Sequence, residues 1–107
     1  MKITIKINNK EVKINSKSVT LTKNDTDRTL IKVLSVSNPS TYDKFVRCMS
    51  DDSMVDVEIY EGDDRTFNNK ELLYSCDARV IGVSEETGRY TEVTMMVMNK
   101  NRRILNG

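Results

Sequence analysis

Alternation with a period of two runs through most of this chain, and it restricts the fold more than any other feature. Ile3, Ile5 and Ile7 alternate with Lys2, Thr4 and Lys6, which sends one set of side chains to a core and the other to water. Asn8-Asn9-Lys10 supplies turn chemistry before Val12 and Ile14 resume the pattern, so a hairpin is expected there. Val19 and Leu21 mark a third short strand. From Leu30 to Val36 the phase slips: Ile31 and Val33 share one face, Leu34 and Val36 the other, which calls for a bulge or for burial on both faces. Val55, Val57 and Ile59 make a fifth strand. Leu72, Tyr74, Cys76, Ala78 and Val80 form a long sixth one, with Gly82 placed for a bend, and Glu85-Glu86-Thr87-Gly88 turns into a seventh over Tyr90–Met98.

One segment breaks the period. Tyr42, Phe45, Val46 and Met49 stand at i, i+3, i+4 and i+7, one apolar face of a helix about two turns long. Ser40 is the expected cap, Asp43 sits near the positive end of the dipole, and Ser50-Asp51-Asp52 marks the stop. The inventory is mainly β: a small antiparallel β-barrel or sandwich of about seven strands, with one short α-helix between strands four and five. With 107 residues and 37% hydrophobic content the chain supports one core. Residues 1–99 are read as a single β-rich domain and 100–107 as a basic C-terminal tail.

Charge sets the class of partner. The net charge of +1 argues against nonspecific polyanion binding, so nucleic acid is not the expected ligand. The distribution is uneven: residues 1–50 hold ten Lys/Arg against four Asp/Glu, a balance of +6, and residues 51–107 hold seven against twelve, a balance of −5. Folding decides whether those halves stay apart. No apolar run approaches the ~18–20 residues that span a bilayer, and the opening alternates instead of forming a signal peptide, so no membrane partner and a cytoplasmic site of synthesis are expected.

The residues that carry catalysis are sparse. The chain has no histidine, and no Ser, Lys or Cys has an activating neighbour at a recognisable spacing, so no catalytic residue, metal or cofactor is expected. Cys48 and Cys76 occupy apolar-periodic positions, where reduced buried thiols are the leading reading and a disulfide the alternative. Asp51, Asp52, Glu61, Asp63 and Asp64 flank the fifth strand. They form either solvated loop ends or an acidic binding face. Tyr60, Tyr74 and Tyr90 align across three strands only if register permits, and their flanks are acidic. Met95, Met96 and Met98 on one strand face both ways, which points to cover on each side, by the core or by another subunit.

Met54-Val55-Asp56-Val57-Glu58-Ile59-Tyr60-Glu61-Gly62-Asp63, then Glu71 to Val83, then Tyr90 to Met98, resembles the β-barrel of phage tail-tube and baseplate-hub proteins, and type VI secretion tube proteins look similar. The opening hairpin, Met1 to Val12, is similar to the first hairpin of hub barrels, and Thr41–Met49 to the small helix that flanks the tube barrel. The resemblance implies a non-enzymatic virion structural protein of a phage tail or tail-like particle, a homo-oligomer whose partners are its own copies in a ring and other tail proteins. It places Tyr90, Met95, Met96, Met98, Arg102 and Arg103 at the assembly interface. The chain lacks an obvious long insertion such as tube subunits use to reach a neighbour, unless residues 23–28 or 61–70 serve. The alternative is a small phage-encoded regulatory binder or inhibitor that meets a host enzyme through Asp51, Asp52, Glu61, Asp63 and Asp64.

Overall fold

The computed structural model describes residues 2–23, 28–61, 71–86 and 88–100. They form seven strands and one helix: β1 (Lys2–Ile7), β2 (Lys10–Val12), β3 (Ser16–Lys23), β4 (Thr29–Val36), α1 (Pro39–Asp51), β5 (Met54–Glu61), β6 (Glu71–Glu86) and β7 (Tyr90–Lys100). All pairings are antiparallel, in one sheet of order β2-β1-β5-β6-β7-β4-β3. The mainly β class and the place of the helix agree with the sequence pattern. The helix must cross β7 and β6 to join β4 to β5, and it packs against β6 on the way.

Direction along the strands adds a constraint. Both β2 and β3 run opposite to their partners β1 and β4, and following the antiparallel order round the sheet gives β2 and β3 the same sense. Only Lys13, Ile14 and Asn15 separate them, so residues 10–23 are one bent strand that leaves one sheet edge and joins the other. That strand draws the edges together until β1 and β3 touch, although no ladder joins them. The result is a partly open barrel.

The inner face is apolar and continuous. Ile3, Ile5, Val12, Val19, Ile31, Val33, Val55, Val57, Ile59, Cys76, Ala78, Val80, Val93 and Met95 are buried in one cluster, and α1 contributes Phe45 and Cys48 to it. Burying side chains of this size stabilises by about 1.5–3 kcal/mol each relative to exposure, and this supports most of the fold. In β4 the slipped phase has a plain cause: pairing with β7 is unbroken from Leu30 to Val36, Ser35 takes a core position, and Leu30 and Leu34 sit half-buried outside.

Local chemistry sets the corners. Asn8 and Asn9, at φ 54° and 67°, make the two-residue turn between Ile7 and Lys10, a left-handed pair that asparagine tolerates. Gly88, at φ 71°, serves the β6–β7 turn. Asn38, and not Ser40, caps the helix: its Oδ1 accepts from the Ser40 and Thr41 amides at 3.0 and 3.4 Å, and Pro39 fills the first helical position, where no amide is needed. Asp52 ends α1 in the left-handed conformation, and the Ser53 amide donates to the Cys48 carbonyl.

Bulges bend the long hairpin. Register shifts leave Leu73 and Ile81 as extra residues on β6 and Met98 on β7. The first shift also overturns one expectation, because Leu72 pairs with Tyr60 and leaves the inward set of Tyr74, Cys76, Ala78 and Val80. Ile81 stands beside Gly82, so the expected bend is present. A Cβ on Gly82 would come no nearer than 3.8 Å to Thr94, so the bulge rather than close packing makes the bend. Leu21 shares the phase of Val19 but is exposed, because it lies near the end of the edge strand.

Candidate assembly surfaces

The buried side chains form one apolar cluster, and the charged side chains of the strands lie on the outer face. On the outer face of β5 and β6 the register sets Glu58 opposite Ser75, Asp56 opposite Asp77, and Met54 opposite Arg79. β1 adds Lys6 beside Asp56, and β7 adds Met96 beside Arg79. Beyond Met96 lies Leu30, then Thr22. An outer row therefore reads Met54, Arg79, Met96, Leu30, with Met54 49% exposed. The Arg79 Nε atom is shut off from solvent and has no hydrogen-bond partner among the described residues.

The methionines divide sharply. Met95 is wholly buried between Ile31 and Val80, which removes it from any external surface. Met96 and Met98 are half-buried outside the core cluster, and Tyr90 is half-buried opposite Val36. Arg102 and Arg103 lie outside the described residues, whereas Lys100, assigned above to the tail, belongs to β7.

Of the acidic residues named in the alternative reading, the described ones lie at opposite ends of β5. Asp51 and Asp52 are exposed at the C-terminal end of α1, the unfavourable end of the dipole for a carboxylate. Glu61 closes β5 at its far end, roughly 25 Å away at ~3.3 Å per residue, and Asp63 and Asp64 lie outside the described residues. The carboxylates that the register gathers are Asp56, Glu58 and Asp77. Sequence reasoning missed that group, although the alternation and a correct hairpin register would have found it. Among the described residues no group of His, Cys, Asp or Glu side chains is arranged to hold a metal ion.

The tyrosines do not align. Tyr60 pairs with Leu72 on the outside, Tyr74 with Ile59 against the core, and Tyr90 with Glu86 at the hairpin end. Desolvation, with Glu58 as charged neighbour and hydrogen-bond partner, raises the Tyr60 hydroxyl above its usual range. Tyr74 is raised by burial and by Cys76, and a hydrogen bond with Thr29 offsets part of this. Both cysteines are free and buried, so the reduced reading holds. Burial, then Asp77 and Asp56, pushes the Cys76 thiol up to about 12, and burial, then Asp51, raises Cys48. At neutral pH both remain thiols, the poorly nucleophilic form.

An open cleft of about 280 Å³ lies where α1 begins, lined by Lys13, Ile14, Asn15, Val36, Ser37, Asn38 and Thr41. Many of its polar groups serve the fold. Thr41 Oγ1 donates to the Lys13 carbonyl, the Val36 amide to Asn15, and the Ser37 amide to Arg89. This cleft is a structural joint between the bent strand, the helix and the last hairpin. Among the described residues no helix is long and apolar enough to cross a membrane.

Charge around the barrel is sorted by strand. Strands β1 to β4 carry six lysines and one carboxylate, while β5 to β7 carry eight carboxylates and two cations. The first four strands are contiguous around the wall through the bent strand, and so are the last three. Folding keeps the two arcs apart. No family model, no curated protein and no solved structure matches this chain.

Proposed function

We propose that this protein is a non-enzymatic structural subunit that assembles with copies of itself, in the manner of the tail-tube and baseplate-hub barrels that its sequence resembles. The observation that carries the reading is the sorted charge: one arc of the wall is basic and the other acidic, on a chain of net charge +1. Such a molecule attracts its own copies in head-to-tail order, which closes into rings or extends into filaments. The apolar cluster inside the wall leaves its charged outer face to meet partners. Other tail or virion proteins are the partners expected at the ends of such an assembly, and a virion or tail-like particle its final location.

Light scattering and native mass spectrometry of the purified chain over a wide concentration range test the reading, with electron microscopy of the largest species. Discrete multiples of the 12.3 kDa subunit, and annular particles, are expected. A monomer at every concentration sinks it.

A further inference from the structure

The outer row of Met54, Arg79, Met96 and Leu30 is apolar except for one cation at its centre. We propose that this row, with Ile81 beside it, docks an amphipathic helix of a partner protein that carries one carboxylate side chain within its apolar stripe. This contact is independent of self-assembly, since a monomer makes it equally well.

The row is open over β5 and β6, where Met54 is 49% and Ile81 44% exposed. Ile81 is the bulged residue of β6, two positions from Arg79, and the bulge keeps it out of the core set that holds Val80. Met96 and Leu30 continue the patch, half-buried, over β7 and β4. Apolar area alone names no partner, but Arg79 does. It stands between Met54 and Met96 and keeps part of its surface in water, while its Nε is shut off with no hydrogen-bond partner among the described residues. The carboxylates of the next row, Asp56 and Asp77, do not bond that atom. A guanidinium flanked by thioethers suits a carboxylate, which it grips through parallel N–H bonds where water competes little. Asp56 and Asp77 also set a limit: they repel a run of acidic residues, so the occupant brings a single carboxylate among apolar side chains.

Geometry selects a helix. The outer face of a sheet offers side chains and no backbone partners, so an extended segment laid on it leaves its own amides and carbonyls unpaired, whereas a helix satisfies them internally. Neighbouring strands lie about 4.8 Å apart, and residues three or four apart on a helix face stand about 5–6 Å apart. A helix crossing the strands therefore sets a carboxylate over Arg79 and apolar side chains over Met54 and Met96. The two methionines, unbranched and polarizable, adjust to what they meet. The helix of a second copy is not free for this role, because α1 commits Phe45 and Cys48 to its own core.

The test uses the full chain and a fluorescein-labelled helical peptide, alanine-rich, with Leu at i−4 and i+4 around a central Glu, beside its central-Gln and central-Lys counterparts. Fluorescence anisotropy reads the binding. The Glu peptide should bind about tenfold or more tightly than the Gln peptide, and the Lys peptide least. Arg79→Glu should reverse the order in favour of the Lys peptide, which also shows that the variant is folded. Met54→Ser should weaken the Glu peptide about threefold to tenfold and leave the order in place. Amide shifts on adding the Glu peptide should centre on Met54, Arg79, Ile81 and Met96. Equal binding of the three peptides, no binding of any, or an order that Arg79→Glu leaves unchanged overturns the proposal. Dissolution of wild-type assemblies by Met54→Ser assigns the row to a second copy and overturns it too. A wild type that is monomeric throughout yet prefers the Glu peptide sinks self-assembly and leaves this contact standing.

Discussion

Met95 and Met96 are neighbours on β7, yet Met95 is wholly buried between Ile31 and Val80 while Met96 sits half-buried between Leu30 and Arg79. The same contrast holds round the whole wall. Inside, the side chains are uncharged, mostly aliphatic, and packed in one cluster; outside, every strand carries at least one charged residue, and the signs sort by arc. The inner face thus answers to volume and fixes the fold. Charge and residual apolar area govern the outer face. A residue's effect should therefore follow its face rather than its type.

The most severe way to break that comparison is to place the same charge at the two adjacent positions. Met95→Lys buries an ammonium with no partner, a cost of several kcal/mol that rivals the ~5–15 kcal/mol stability of a whole domain. Circular dichroism should show no cooperative thermal transition. Met96→Lys should leave the monomer within about 1 kcal/mol of wild type, because its head group reaches water. Equal losses at both positions would show that the outer face is as closed as the inner one.

The helix extends the comparison to a second element. Phe45 is 1% exposed and shares the barrel core, whereas Val46, the next residue, is only half-buried. Phe45→Ala should cost about 3–5 kcal/mol and Val46→Ala less than half of that, read from denaturant midpoints. Similar costs would mean that α1 does not plug the core in the way its burial indicates.

Legibility in the sequence follows the same division. Alternation is a property of single strands, so all seven were visible, and the i, i+3, i+4 set at Phe45 announced the helix. Bulges depend on the partner strand, and nothing in the local pattern of Leu73, Ile81 or Lys17 separates an extra residue from a paired one. The extra residue Leu73 is why Leu72 does not share the inward face of Tyr74. The bent strand was hidden too, because Lys13-Ile14-Asn15 looks like an ordinary link until both partners are known. At the surface, Asp51, Asp52 and Glu61 stand out in the sequence by being clustered or terminal, while Asp56 and Asp77 are 21 positions apart and meet only through register. Charge sorting was legible as a difference between halves, since a topology that keeps β1–β4 contiguous preserves it.

The buried thiol sharpens the inner side of the comparison through pH. Unfolded, Cys76 gives up its proton near 9.0; folded, it holds the proton up to about 12. The stabilisation is fully present below pH 9 and is lost as pH climbs from there toward 12, at up to about 1.4 kcal/mol per unit. Cys48, Tyr60 and Tyr74 shift in the same direction and add to the trend. Melting temperatures should fall steadily between about pH 9 and 11, and Cys76→Ala, though less stable at pH 7, should show a shallower fall. A stability profile that stays level across that range would contradict a desolvated Cys76.

The smallest effect tests whether an exposed residue can matter to folding at all. Asn38 and Ser40 are both exposed and both suit a helix start, but only Asn38 accepts the free amides of Ser40 and Thr41. Asn38→Ala leaves those donors to water and should cost about 1 kcal/mol, whereas Ser40→Ala should change stability by a few tenths at most. Thermal unfolding of the two variants side by side decides it. The Asn38 cap also fixes where α1 begins, and Thr41, one turn into the helix, donates to Lys13 in the bend between β2 and β3. Fraying there loosens the strand that draws the two sheet edges together, so hydrogen exchange at Val36, whose amide bonds Asn15, should quicken in Asn38→Ala and stay unchanged in Ser40→Ala. Equal exchange in both variants would mean that the exterior at this joint contributes nothing beyond exposure, and that the division between the faces is complete.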